Sequence, residues 1–117
     1  MDVLFRNLKE ISMALNVDIS MINAIDGQPL PYEELETDGV VWSTPPPDFL
    51  HPFQYHRCHC SGPSSGYEIA IKYGGLICRI DVTSWGVSYR KSTPTNFDLE
   101  LVLLKNEAPY RMELIMI

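Results

Sequence analysis

Apolar and polar positions alternate with a period of two over most of the second half of the chain. Ile69, Ile71 and Tyr73 stand against Glu68 and Lys72, and Leu76, Cys78, Ile80 and Val82 against Arg79 and Asp81. Val87 and Tyr89 oppose Ser88 and Arg90, and Phe97, Leu99, Leu101 and Leu103 oppose Asp98 and Glu100. Met112, Leu114 and Met116 alternate with Glu113. One apolar and one polar face is the pattern of half-exposed strands, so residues 67–117 read as an antiparallel sheet. Gly74-Gly75 is a tight turn between two of these strands, because glycine accepts positive φ at little cost.

The first half follows other periods. Leu4, Leu8, Ile11 and Leu15 recur at helical spacing, broadened by Val3 and Ala14, with Asp2 as N-cap and Asn16 as stop. This predicts a helix over 1–16. Residues 17–42 read as a hairpin or as short helices. Val17, Ile19, Met21 and Ile25 fall on odd positions, and Asp26-Gly27 offers a hairpin turn. Pro45-Pro46-Pro47 forces an extended stretch, and residues 43–66 hold five prolines and two glycines. That segment reads as a long Pro/His/Cys loop, of the kind that carries function. The expected fold is a single α+β domain over 1–117. Its N-terminal helix packs on a mostly antiparallel sheet of five to six strands.

Length and charge narrow the function classes. At 117 residues there is room for one core, and no apolar run approaches the ~20 residues that span a bilayer. The net charge of −6 is uneven: residues 1–50 carry two bases and nine acids, the rest seven bases and six acids. An acidic front half repels phosphate backbones and anionic membranes and suits a basic protein partner. Nucleic acid and membrane are therefore not expected partners.

Three cysteines, Cys58, Cys60 and Cys78, are too few and too odd in number for a disulfide scaffold. The start MDVLFRNLKE lacks the pattern of a secretory signal. Together these point to a reducing, cytoplasmic setting.

All three histidines and two cysteines fall in the run HPFQYHRCHC. Zinc takes four ligands of these types, so His56, Cys58, Cys60 and Cys78 are the candidate set if a metal is held. The C-x-C spacing departs from the usual C-x₂₋₄-C pair, and a turn would have to bring both thiols to one ion. No cofactor is expected, with zinc the alternative. Basic neighbours of Cys58 could favour a reactive thiolate. No Ser-centred elbow, H-E-x-x-H or phosphate-binding glycine loop occurs, so no enzyme is expected.

The stretch from Leu8 to Ile25 resembles the helix-turn-helix of bacterial repressors, with Ile11, Ser12, Leu15, Asn16, Val17, Ile22 and Ile25 in order. The resemblance covers about 18 residues of the 117 and implies a DNA-binding helix from Ile19 to Ile25. That helix would hold no Arg or Lys, with Asn23 its only base reader, so its chemistry disfavours DNA.

Trp42, Phe49, Phe53 and Tyr55 cluster around Pro45–Pro47 and Pro52. Aromatics on a proline-stiffened segment make contact anchors, and Glu33, Glu34, Glu36 and Asp38 could steer a basic partner. Trp85, beside Gly86, reads as a structural residue at a strand corner. The expectation is a small, acidic, regulatory protein-binding module of inhibitor, immunity or antagonist type. A small-molecule or metal-sensing domain is the alternative, and helix-turn-helix DNA binding a lesser one. An edge strand could also pair with a second copy of the chain.

Overall fold

The computed structural model describes residues 14–117. Ten strands follow one another: β1 (Leu15–Asn23), β2 (Leu30–Pro31), β3 (Val41–Thr44), β4 (Phe49–Leu50), β5 (Tyr55–Gly62), β6 (Tyr67–Tyr73), β7 (Leu76–Thr83), β8 (Gly86–Ser92), β9 (Leu99–Lys105) and β10 (Tyr110–Met116). The described residues are all-β, which overturns the α+β expectation. Most of the predicted helix, residues 1–13, lies outside the described residues. Its last two, Leu15 and Asn16, open β1 instead.

The strands build a sandwich. One sheet has the order β3-β5-β1-β10-β9, the other β6-β7-β8, and β2-β4 form a small pair beside them. The expected single sheet over 67–117 is thus divided: β6 to β8 form one layer, and β9 and β10 join the other. β10 runs parallel to β1, with Val17 opposite Tyr110 and Asn23 opposite Met116. β5 runs antiparallel to β1, with Val17 opposite Cys60 and Met21 opposite His56. No hairpin forms through Asp26-Gly27, because both edges of β1 are taken by these distant strands.

The alternation seen in the sequence becomes the core. Val17, Ile19 and Met21 of β1 and Met112, Leu114 and Met116 of β10 face Ile69, Ile71, Leu76, Ile80 and Val82 of the other sheet in one buried cluster. Hydrogen bonds tie the layers across the core. Tyr67 donates to the Leu15 carbonyl and Tyr110 to that of Thr83, each at 2.7 Å. Gly74 and Gly75 have φ of 54° and 87° and close the β6–β7 hairpin as expected. Gly62 is needed for a different reason: a Cβ there would lie 2.3–2.7 Å from the buried Tyr67 ring.

Candidate functional site

The segment read as the Pro/His/Cys loop contains β4 and β5, and β5 is an inner strand of the larger sheet. The reason is that cysteine behaves as a small hydrophobe, so HRCHC alternates like any other strand. A strand has period two, so Cys58 and Cys60 share the core face without any turn. Cys78 faces them from β7, and all three are fully buried free thiols. Burial pushes each thiol up to about 12, so they stay protonated at neutral pH and lack thiolate reactivity. His56 shares their strand face, and its Nε2 is buried without a hydrogen-bond partner among the described residues. Among the described residues no three His, Cys, Asp or Glu side chains group to hold a metal ion.

The helix-turn-helix fares no better. Ile19 to Asn23, most of its recognition helix, is strand. Asn23 is fully buried. Its Nδ2 donates to the Leu50 carbonyl and its Oδ1 accepts from the Ile25 N–H, both at 2.9 Å. The proposed base reader is a structural clamp at the end of β1.

That clamp organises the aromatic segment. The Asn23 carbonyl accepts from the Phe53 N–H at 2.6 Å. A turn from His51 to Gln54 is closed by the Gln54 N–H on the His51 carbonyl and by Gln54 Oε1 accepting from the His51 N–H. Within it Phe53 takes φ 62°, the left-handed region, and among the described residues no other non-glycine does so. A bulky side chain there costs about 1–2 kcal/mol. Yet the Phe53 side chain is not packed away: it is 64% exposed. Phe49 and Tyr55 are exposed as well. Phe49 pairs with Pro31, and the Tyr55 hydroxyl donates to Ser20 Oγ at 2.7 Å.

The acidic segment begins where β2 ends. Tyr32 bridges to Tyr73, and the Glu33 N–H donates to the Lys72 carbonyl, so the chain leaves along the β6 edge. Glu33 pairs with Lys72 Nζ at 2.5 Å. Glu34, Glu36 and Asp38 are exposed and form no ion pair among the described residues. Glu34 and Glu36 border a cavity of about 210 Å³ whose walls include Tyr32 and Trp42. Trp42 is half-buried and packs against the core. The structure therefore brings Phe49, Phe53 and the acids to one edge, with Tyr55 on the adjoining outer sheet face and Trp42 in the cavity wall.

The fold has a solved precedent. It matches the crystal structure of IP-1A from Alcaligenes faecalis with a TM-score of 0.63 and 11% identity, over 92% of this chain and 94% of that one. At that identity the likeness shows the fold alone. No family model matches the chain. No curated protein matches it.

Two features had little or no sequence signal. Trp85, read as structural, is 96% exposed at the β7–β8 turn. Ser43 Oγ contacts His59 Nδ1 across β3 and β5 on the exposed sheet face, a pair 16 residues apart in sequence. Among the described residues no helix is long and apolar enough to cross a membrane.

Proposed function

We propose that the chain is a non-enzymatic binding module that acts by contact with a basic protein, as inhibitors, immunity proteins and antagonists do. Its contact surface is the acidic, aromatic edge from Glu33 to Tyr55. The observation that carries this reading is Phe53, held in a strained backbone conformation while its ring stays in solvent. Such strain persists where the surroundings enforce it and collects at binding sites. Glu34 and Glu36, unpaired among the described residues and beside Tyr32 and Trp42, support a basic partner, because carboxylates and aromatic faces both attract a Lys or Arg side chain. Three free, buried thiols support a reducing, cytoplasmic setting. No cofactor is part of this reading.

The test is kinetic and uses a basic protein recovered with the chain from its native cells. Phe49→Ala, Phe53→Ala and Tyr55→Ala should speed dissociation, with at least one costing about 2 kcal/mol or more. Lysine at Glu34, Glu36 and Asp38 together should slow association about tenfold and flatten its salt dependence. If neither set changes the kinetics, the edge is not the contact surface.

A further inference from the structure

Exposed large apolar side chains fall mainly at two opposite edges. Val41, Phe49 and Phe53 belong to the edge above, with Tyr55 on the outer sheet face beside it. Tyr89, Phe97, Val102, Leu103, Leu104 and Ile117 lie at the other, where β8 and β9 end their sheets. β9 is the outermost strand of the five-stranded sheet, has seven residues and contains no proline. Val102, Leu103 and Leu104 are 43%, 37% and 55% exposed. An edge strand turns a row of unpaired N–H and C=O groups outward, and natural proteins usually blunt it with brevity, proline or central charge. β9 has none of these three, although a bulge falls at Leu104 and the outward groups of Leu99 are capped, its N–H by Asp98 Oδ1 at 2.8 Å and its carbonyl by Lys91 Nζ at 3.1 Å; the open part of the ladder is Leu101 and Leu103.

Its charges sit only at the ends, and they differ in sign. Asp98 and Glu100 mark the start. Lys105 marks the finish, opposite Arg111 of β10. The β9–β10 register passes from Leu103 opposite Met112 to Lys105 opposite Arg111, skipping Leu104. Residues directly opposite share a face, so this bulge places Lys105 on the outer face with Arg111, Val102 and Glu100. Neither Lys105 nor Arg111 forms an ion pair among the described residues.

A strand that is acidic at one end, basic at the other and aliphatic between is complementary to itself when reversed. We propose that β9 pairs antiparallel with β9 of a second copy about a two-fold axis at Val102, joining the two five-stranded sheets. That register sets Leu101 against Leu103 of the partner subunit on the inner face. Plain counting would set Glu100 against Leu104 of the partner subunit; with Leu104 bulged out of the ladder as it is against β10, Lys105 of the partner subunit falls opposite Glu100 on the outer face, twice by symmetry. Parallel pairing would instead put like charges side by side, which is unfavourable. The acidic edge cannot serve two copies in this way, because it would bring carboxylates against carboxylates.

Sedimentation velocity of the full chain over a wide concentration range tests this directly. The wild type should dimerise. Val102→Lys places two ammonium groups at the axis and should weaken dimerisation at least about tenfold. Lys105→Glu should weaken it about tenfold by facing Glu100 of the partner subunit, and adding E100K should restore it. Lys91, 3.6 Å from Glu100, keeps its 2.9 Å bond to Asp98 in the swapped chain. These positions are exposed, so each variant should keep its melting temperature. A chain that stays monomeric throughout overturns the proposal. So does a dimer that survives Val102→Lys, or a charge swap that fails to restore association.

Discussion

The two edges of the sandwich leave different things exposed. Along β6 the chain from Leu30 to Glu33 supplies its own backbone partners: the Gly74 N–H reaches the Pro31 carbonyl and the Glu33 N–H the Lys72 carbonyl. What remains for recognition there is side chains: carboxylates, an aromatic-walled cavity and projecting rings. Along β9 the side chains are mostly aliphatic, and beyond Leu99, whose N–H and carbonyl are capped by Asp98 and Lys91, the outward backbone groups have no strand to pair with among the described residues. A side-chain surface selects a partner by charge and shape, whereas an open ladder pairs with any strand of suitable register. One fold therefore offers a selective edge and a self-complementary one. Opposite edges of the same sandwich need not do the same job.

Both edges rest on one core, so a condition that melts the core should remove both together. The largest such effect is expected at alkaline pH. Cys58, Cys60 and Cys78 are held near 12 in the fold against an ordinary value of 9.0. Above pH 9 the unfolded chain releases these protons while the folded chain keeps them. Stability is therefore full below about pH 9 and falls as pH rises toward 12, by about 1.4 kcal/mol per pH unit for each thiol. Urea midpoints measured from pH 7 to 11 should drop steeply beyond 9, and Cys78→Ala should make the decline shallower. A flat profile would show that the thiols are not buried as described.

Asn23→Ala should separate the edges. It leaves the Leu50 carbonyl and the Ile25 N–H without their partner, at a cost of about 3 kcal/mol. The damage lies at the end of β1 that anchors Leu50 and the Phe53 turn. Urea denaturation should show the loss, and contact with a basic partner should weaken further than the folded fraction explains. Association through β9, measured on the folded fraction by sedimentation, should not change. Equal loss at both edges would show that they are coupled.

The strands were more legible than their partners. Period-two alternation located β6, β7, β8, β9 and β10, and Val17, Ile19 and Met21 do line one face of β1. Pairing was not legible, because β1 lies between β5 and β10, and the latter is about 90 residues away in sequence. β5 was hidden by its own chemistry: His and Cys suggested ligands, although alternating thiols fill a core as well as valine does. Leu15 fitted both a helical stripe and the odd positions of β1, and long-range pairing decided between them. The acidic run and the aromatic cluster could be seen as candidates. That Trp42 would turn inward was suggested only by the general tendency of large apolar side chains to leave solvent, and that Phe53 would adopt a positive φ had no local signal.

The smallest expected effect bears most directly on whether the aromatic edge was shaped for binding. Phe53 occupies a left-handed conformation that suits glycine, while its ring remains mostly in solvent. If the phenylalanine served stability, its replacement would weaken the fold. Phe53→Gly instead removes about 1–2 kcal/mol of backbone strain and little buried apolar area. Against this stands the greater freedom of glycine in the unfolded chain, about 0.5–1 kcal/mol. The variant should therefore be as stable as the wild type or more so, by up to about 1 kcal/mol. Its dissociation from a basic partner should be faster, and its sedimentation as a dimer the same. Stability unchanged or raised while contact is lost is the signature of a residue kept for function at the expense of the fold. A clear drop in the urea midpoint would show that the Phe53 ring serves packing after all, and the strain would then have a structural cause.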